Sequence, residues 1–287
     1  MPPIPGTLYI VATPIGNLED LTFRGLRILR EVDLIAAEDT RRTSKLLAHY
    51  EIRKPLTSVR EHNEAHESER LVAKLIEGLH IALVTDAGTP GIADPGARLV
   101  RVARQRGIPV VPIPGASAIS AALSVSGLEG REFVFMGFPP PAGTERRQWF
   151  DRLAMDERIV VLFEAPHRVR KTLSELTKLV ERPIIVNREL TKRHEELVVC
   201  TINKDIELVR EQGEFTIIVG PAARGAKTQP DSTEVAYLFG CLTNSCGYAG
   251  DAALNVISLV YAVSQSEAAK IVKKHRIKVK QSNNSTA

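Results

Sequence analysis

A chain of 287 residues exceeds the roughly 100 to 200 residues of one domain, so two domains are the starting expectation. Hydrophobic residues at 44% and charged residues at 25% exclude a disordered chain, and a net charge of +4 fits either a nucleic-acid partner or a solvated surface. The start, MPPIPGT, has no secretory pattern and no run reaches the ~18 apolar residues of a membrane span, so a cytoplasmic location with no membrane partner is expected.

The predicted elements begin with TLYIVAT (7–13), a β-branched strand ending at Pro14 and Gly16, then the helical spacing of Leu21, Leu26, Leu29 and Val32. The same strand, loop and helix order recurs in DLIAAE with SKLLAHY, HIALVTD with GARLVRVARQRG, and IPVVPIP with SAISAALSVSG. Strands without clean alternation, each followed by a helix, describe a parallel sheet covered on both faces. Gly127 to Gly130 closes this half. A second α/β set runs from FVFMGFPPP (133–141) through ERRQWFDRLAM, RIVVLFEAP, HRVRKTLSELTKLV and RPIIVNREL to GEFTIIVGP (213–221). GPAARGAKTQPDS (220–232) reads as a linker, and residues 233–287 as helices with a basic stretch, KIVKKHRIKVK, and a polar end. The fold class is therefore α/β, with an N-terminal domain at 1–130, a second domain at 131–222, and a linker and helical extension at 223–287. Cys200, Cys241 and Cys246 lack the spacing and histidine partners of a zinc site, so no metal is expected.

Ligands of a parallel sheet collect beyond the carboxyl ends of its strands. TPIGN, EDTRRT, TDAGTPGIADPG, PGASA and FEAPHR all fall at such ends. The loop TDAGTPGIADPG (85–96) is neither a dinucleotide fingerprint nor a triphosphate loop, because Gly88, Gly91 and Gly96 have other spacings and no Gly-Lys-Ser/Thr follows. Pro90 and Pro95 stiffen it, its glycines allow close approach, and Asp86 and Asp94 supply acceptors, which suits a hydroxylated or positively charged ligand. It can also be a tight turn in which Asp94 caps the helix beginning near Gly96.

VATPIGNLEDLTFRGLRILREVDLIAAEDTRRT, TDAGTPGIADPG, PGASA, FEAPHRV and RELTKRHEE, in this order across about residues 6–221, resemble the bacterial ribosomal RNA ribose 2′-O-methyltransferase I family, a branch of the tetrapyrrole (corrin/porphyrin) methylase superfamily. Thr85 stands where family members commonly have serine, GFPPPAGTERRQWF and SVREHNE depart from the usual segments, and the tail from 231 matches poorly. The resemblance implies a cleft between two α/β domains, S-adenosylmethionine as cofactor, a homodimer, and methylation of a cytidine ribose near the decoding region of small-subunit (16S) ribosomal RNA, with the assembled 30S subunit as partner.

S-adenosylmethionine carries a sulfonium cation and no phosphate, so it calls for a carboxylate and carbonyl oxygens. Asp86 is the expected contact, with Pro14, Gly88, Pro90, Gly91 and Ile92 shaping the wall. Ser117 sits between Ala116 and Ala118 and either reaches the donor or caps a helix. Phe163, Glu164 and Ala165 close the cleft. A ribose hydroxyl needs a base, and the candidates are Asp39, Glu38, His62 and Glu164, with Asp39 first unless it is a helix cap. Arg41, Arg42, Arg60, Arg168, Lys192 and Arg193 are expected on RNA phosphates, or else paired with surface glutamates such as Glu61, Glu64 and Glu67. His62, His66, His167 and His194 either stack on bases or form surface hydrogen bonds. Two other readings stay open: a methylase of a small tetrapyrrole-like substrate, and a non-catalytic ligand sensor or RNA-binding scaffold.

Overall fold

The computed structural model describes residues 4–200, 203–222, 232–245, 249–260 and 264–273. It divides into two compact units, Met1–Pro221 and Ala222–Ala287.

In the first unit, β1 (Leu8–Val11), β2 (Leu34–Ala37), β3 (Leu56–Ser58), β4 (Ile81–Val84) and β5 (Val110–Ile113) form a sheet of order β3-β2-β4-β1-β5, and every pairing is parallel. Between them run α1 (Phe23–Glu31), α2 (Thr40–His49), α3 (Glu64–Ile76) and α4 (Ala97–Gln105), and α5 (Ala118–Val125) follows β5. Successive residues of a strand point to opposite faces, and β4 shows what that produces here. Ile81 and Leu83 enter a core with Leu71 and Leu75 of α3 and Leu99 of α4, whereas Ala82 and Val84 enter one with Ile28 and Leu29 of α1 and Leu47 of α2. Both faces are covered, as the unbroken apolar strands require.

The second sheet joins β6 (Phe133–Phe135), β7 (Ile159–Glu164), β8 (Ile184–Arg188), β9 (Glu196–Cys200) and β10 (Phe215–Val219) in the order β6-β7-β10-β8-β9. Only β6 and β7 run parallel; the remaining neighbours are antiparallel. On one face, α6 (Gly143–Met155) and α7 (Val169–Leu179) bury Trp149, Phe150, Leu153, Leu173 and Leu176 against Val160, Leu162 and Ile217. The other face packs Ile159, Val161, Ile185 and Ile218 against Ile119 and Ala122 of α5 and against Ile15 of the loop after β1. The last helix of the first half is thus also a cover of the second sheet.

Helix α3 and strands β3 and β9 have no counterpart in the elements read from sequence. The first turns of α3 bury Glu67 and Ser68 instead of apolar residues, which hides its periodicity, and β9 exposes Leu197 and Val199. Helix α3 also has a task beyond packing. Its Glu64 Oε1 accepts the backbone N–H groups of Gly96 and Arg98, both at 2.9 Å, and so caps α4 from outside. The N-cap position itself is Gly96, at φ +131°, where a Cβ would come within 2.7 Å of Leu83 Cδ2. The cap expected from Asp94 is therefore supplied by Glu64.

The second unit consists of α8 (Ser232–Gly240), a π-helical turn at Cys241–Ser245, α9 (Gly250–Val260) and α10 (265–273). Val235, Ile257, Ala268 and Val272 form its own small core. Most of the linker sequence, Cys246, the end of the basic stretch and the polar terminus lie outside the described residues.

Glu64→Ala removes the external cap together with a carboxylate at a helix N-terminus, and is expected to cost roughly 1–2 kcal/mol. Urea unfolding should show a lower midpoint at unchanged slope, and Glu64→Gln, which keeps an acceptor, should lose less.

Candidate active site

The loops after the strands of the first sheet are hydrogen-bonded to one another. Thr13 and Gly88 form a two-bond antiparallel bridge, N to O at 2.9 and 3.0 Å, and the Thr13 hydroxyl donates to the Thr85 carbonyl at 3.0 Å. Thr89 Oγ1 reaches the Ala116 carbonyl at 3.4 Å, which links the loop after β4 to that after β5. Gly88 makes its turn at φ +84°, and the non-glycine Ala93 takes φ +62°. Gly16 fits only as glycine: a Cβ there would lie 2.3 Å from Lys192 Cγ and 2.9 Å from the Leu190 carbonyl.

These loops form one wall of a cleft of about 420 Å³, within the size range of small-molecule sites. That wall carries Ile15, Glu38, Asp86, Gly88, Ile92, Asp94, Ser117 and Ala118. The opposite wall comes from the second sheet and carries Phe138, Phe163, Glu164, Ala165, Phe215 and Thr216.

Three carboxylates meet on the first wall. Glu38 Oε2 accepts from Thr85 Oγ1 at 2.7 Å and from the Asp86 N–H at 3.4 Å. Asp86 accepts the Asp39 N–H on Oδ1 at 3.1 Å and faces Arg42 at 3.3 Å through Oδ2. Burial first, and then the nearby Glu38 charge, raise the pKa of Asp86. The same two causes in the same order push Asp94 up to about 6. Such a rim disfavours its own negative charge and would be relieved by a cation.

Of the residues expected at a donor site, Asp86, Gly88, Ile92, Ser117, Ala118, Phe163 and Ala165 line this cleft. Ser117 holds the N-cap position of α5 without a capping hydrogen bond from its side chain. Pro14 and Pro90 are buried, and Ala116 offers its carbonyl to Thr89. Gly91 is exposed at the turn, with φ +80°.

The four candidates for a base separate. Glu38 and Glu164 line the cleft. Asp39 is the N-cap of α2: its carboxylate accepts from the Arg41 backbone and guanidinium, and those hydrogen bonds hold its pKa well below the carboxylate range. His62 is exposed on the turn before α3. Glu164 is fully enclosed, with Thr172, the Ala165 N–H and Arg168 as partners.

The expected phosphate-binding cations divide in a similar way. Arg168 turns inward to Glu164 and to the Pro139 carbonyl. Arg41 is bonded to Asp39, Arg60 reaches the Glu38 carbonyl at 3.3 Å, and Arg193 is exposed. Arg42 and Lys192 line a second cavity of about 370 Å³ together with Pro14, Gly16 and Lys45, and it shares Ile15, Arg42, Asp86, Ala87 and Glu214 with the cleft. Lys192 is held there by Glu189 at 2.8 Å and Glu214 at 3.1 Å. Lys45 and Phe138 had no signal in the sequence, whereas Asp94 read either as an acceptor for a ligand or as a helix cap, and it lines the cleft. Its position as the second acid of a glycine- and proline-rich loop was the signal available.

Residues 7–204 match the family model of tetrapyrrole (corrin/porphyrin) methylases. Over 226 residues the chain is 49% identical to ribosomal RNA small subunit methyltransferase I of Xylella fastidiosa, covering 76% of this chain and 83% of that one. The enzyme of the same name from Synechocystis sp. is 48% identical over 222 residues, 76% of this chain and 80% of its own. Among solved structures, diphthine synthase aligns with a TM-score of 0.60 at 15% identity, covering 75% of this chain and 90% of that one. A cobalt precorrin-4 methyltransferase aligns at 0.58 and 18%, covering 75% and 94%. At such identities the structural likeness concerns the fold.

A carboxyl whose pKa rises on folding, here from 3.8 to about 6, stabilises the fold fully below the lower value and loses that contribution as pH climbs through the upper one. Carbon-detected NMR of the Asp94 carboxyl should therefore give a midpoint near 6 that falls in Glu38→Gln; an ordinary value in the unsubstituted chain would contradict this placement.

Proposed function

As this chain belongs to the tetrapyrrole (corrin/porphyrin) methylase family and, within it, to the small-subunit ribosomal RNA methyltransferase I group, we propose that its cleft transfers a methyl group from S-adenosylmethionine to the ribose 2′-oxygen of a cytidine in 16S ribosomal RNA, near the decoding region. The chain is a methyltransferase. Donor, atom and nucleotide are our reading, as are a cytoplasmic homodimer and the assembled 30S subunit as substrate. Among the described residues no helix is long and apolar enough to cross a membrane.

The observation that carries this reading is the difference in charge between two adjoining cavities that share Arg42, Asp86 and Glu214: acids outnumber cations in the first, and cations outnumber acids in the second. The cleft concentrates Glu38, Asp86 and Asp94 beside apolar Ile15, Ala118, Ile119 and Phe163. The neighbouring cavity gathers Arg42, Lys45 and Lys192. Acid beside apolar surface suits a sulfonium compound with a nucleoside, and cations suit a phosphate backbone. Asp86 and Asp94 would hold the cationic end of the donor, and Ala118, Phe163 and Ala165 its nucleoside. When bound, S-adenosylmethionine supplies an electrophilic methyl group on a positively charged sulfur.

The chain contributes position, charge and a base. Loops bonded through Thr13–Gly88 and Thr89–Ala116 hold the reacting groups in place, the term with the largest potential in such reactions, about 7 to 11 kcal/mol. Glu38, which lines the cleft, would take the hydroxyl proton as the donor's carbon–sulfur bond gives way to a carbon–oxygen bond. Such assistance contributes roughly 10²- to 10⁴-fold. Arg42 faces Asp86 from the border of both cavities, where it meets the acceptor strand.

Under-modified small subunits incubated with donor labelled in the methyl group test the reading. Label should appear on a cytidine ribose after nuclease digestion; label only in a precorrin-type substrate would overturn it. Asp86→Ala should weaken donor binding in a calorimetric titration more than Arg41→Ala does, since Arg41 is engaged with Asp39 outside the cleft, and equal losses would remove Asp86 from the donor site.

A further inference from the structure

Resting on the methyl-transfer reading above, we propose that Phe138 is a fixed stacking face for the base of the acceptor nucleotide, a subsite on the second sheet's wall of the cleft. Phe138 is 50% exposed. Singly exposed apolar residues are common, but the backbone beneath this one is secured with unusual thoroughness. Trp149 Nε1 donates to the Met136 carbonyl at 3.3 Å and the Phe163 N–H to that of Gly137 at 3.0 Å. Arg168 Nη1 donates to the Pro139 carbonyl at 3.2 Å and Arg146 Nη1 to that of Pro140 at 2.8 Å. Every carbonyl flanking Phe138 in this segment is thus held, two of them by arginines that are themselves bound inside.

Arg146, 5% exposed, also bonds Thr172 and Glu175, and Arg168 pairs with Glu164, 2% exposed. Proline at 139, 140 and 141 restricts the chain further. The ring itself leans on Phe163 at 5.6 Å between centroids, and Phe163 is backed edge-on by Phe135 at 4.8 Å. The outcome is an aromatic face carried on a secured backbone and rested against Phe163, an arrangement that lowers the cost of ordering it on binding.

The occupant is a flat π-system with little charge. A ribose presented for reaction has to leave the RNA stack, and its base then loses its stacking partners, at a free-energy cost. An aromatic side chain replaces such a partner for any base. The donor's nucleoside is assigned to Ala118, Phe163 and Ala165, and Phe138, which adjoins Phe163 and keeps half its surface in solvent, is left for the acceptor's base. Glu214 lines both this cleft and the basic cavity, so the two adjoin along this wall.

The test uses the full chain, with Phe138→Ala and Phe138→Trp measured against under-modified small subunits and against S-adenosylmethionine alone. Phe138→Ala is expected to raise KM and Kd for the subunits roughly 5- to 150-fold, a loss far larger than any change in donor Kd. Phe138→Trp should keep affinity. Because the chain's one tryptophan, Trp149, is 4% exposed, fluorescence quenched on adding subunits would report the new ring under a base. Unchanged subunit affinity in Phe138→Ala would overturn the proposal, as would quenching and loss of affinity with donor alone, which would put adenine on this face. If the unsubstituted chain methylates no ribose while Phe138→Ala still weakens subunit binding, the catalytic reading fails and the stacking face stands.

Discussion

The site depends on holding several negative charges on one rim of a sheet. Glu38, Asp86 and Asp94 repel one another, and left to themselves they would turn to solvent. They stay because the backbone beneath them is tied from strand to strand. The Thr13–Gly88 bridge fixes the loop after β4 against that after β1, the Thr85 hydroxyl and the Asp86 N–H fix Glu38, and the Asp39 N–H fixes Asp86. The raised pKa values of Asp86 and Asp94 record the remaining tension. In the proposed reaction a cation arriving there would lower both values, because it would offset burial and the Glu38 charge.

The second sheet works by the opposite strategy. Its main buried acid, Glu164, is satisfied on every side, by Thr172, the Ala165 N–H and Arg168. Thr172 then accepts from Arg146, and the two arginines also donate to the carbonyls of Pro139 and Pro140, while Arg168 Nε is buried without a hydrogen-bond partner among the described residues. A buried ion pair contributes little net stability once desolvation is counted, but a hydrogen-bonded polar network favours one arrangement of the chain. Here that arrangement is the shape of a binding wall. One side of the cleft is charged and under strain, the other neutralised and rigid, which suits a reaction between a cationic donor and a polyanionic acceptor.

Much of this was legible in the sequence. Apolar strands followed by amphipathic helices gave the parallel sheet, and the Gly/Pro-rich loops at strand ends gave the location of the cleft, because both depend on local spacing. What escaped depends on partners distant in sequence. Glu64 looks like a surface acid until the fold sets it against Gly96, and Asp94 looks like a cap until that role is filled. Arg168, beside a motif loop, reads as a phosphate ligand, but Glu164 four residues earlier draws it inward. The antiparallel pairings of the second sheet were likewise hidden, since buried strands look alike in either direction. Asp39 shows the limit of reading chemistry from residue type: its carboxylate is committed to Arg41 and its own helix.

Helix α5 belongs by chain order to the first half, yet its Ile119 and Ala122 are buried against Ile159, Val161, Ile185 and Ile218 of the second sheet. Severing the chain at the glycines between 127 and 130 would leave one fragment with a greasy helix in water and the other with a bare sheet face. Neither piece could bury its apolar surface alone, so the two halves fold as a pair. Transplanting one lobe onto another scaffold would require carrying α5 across with the sheet it covers.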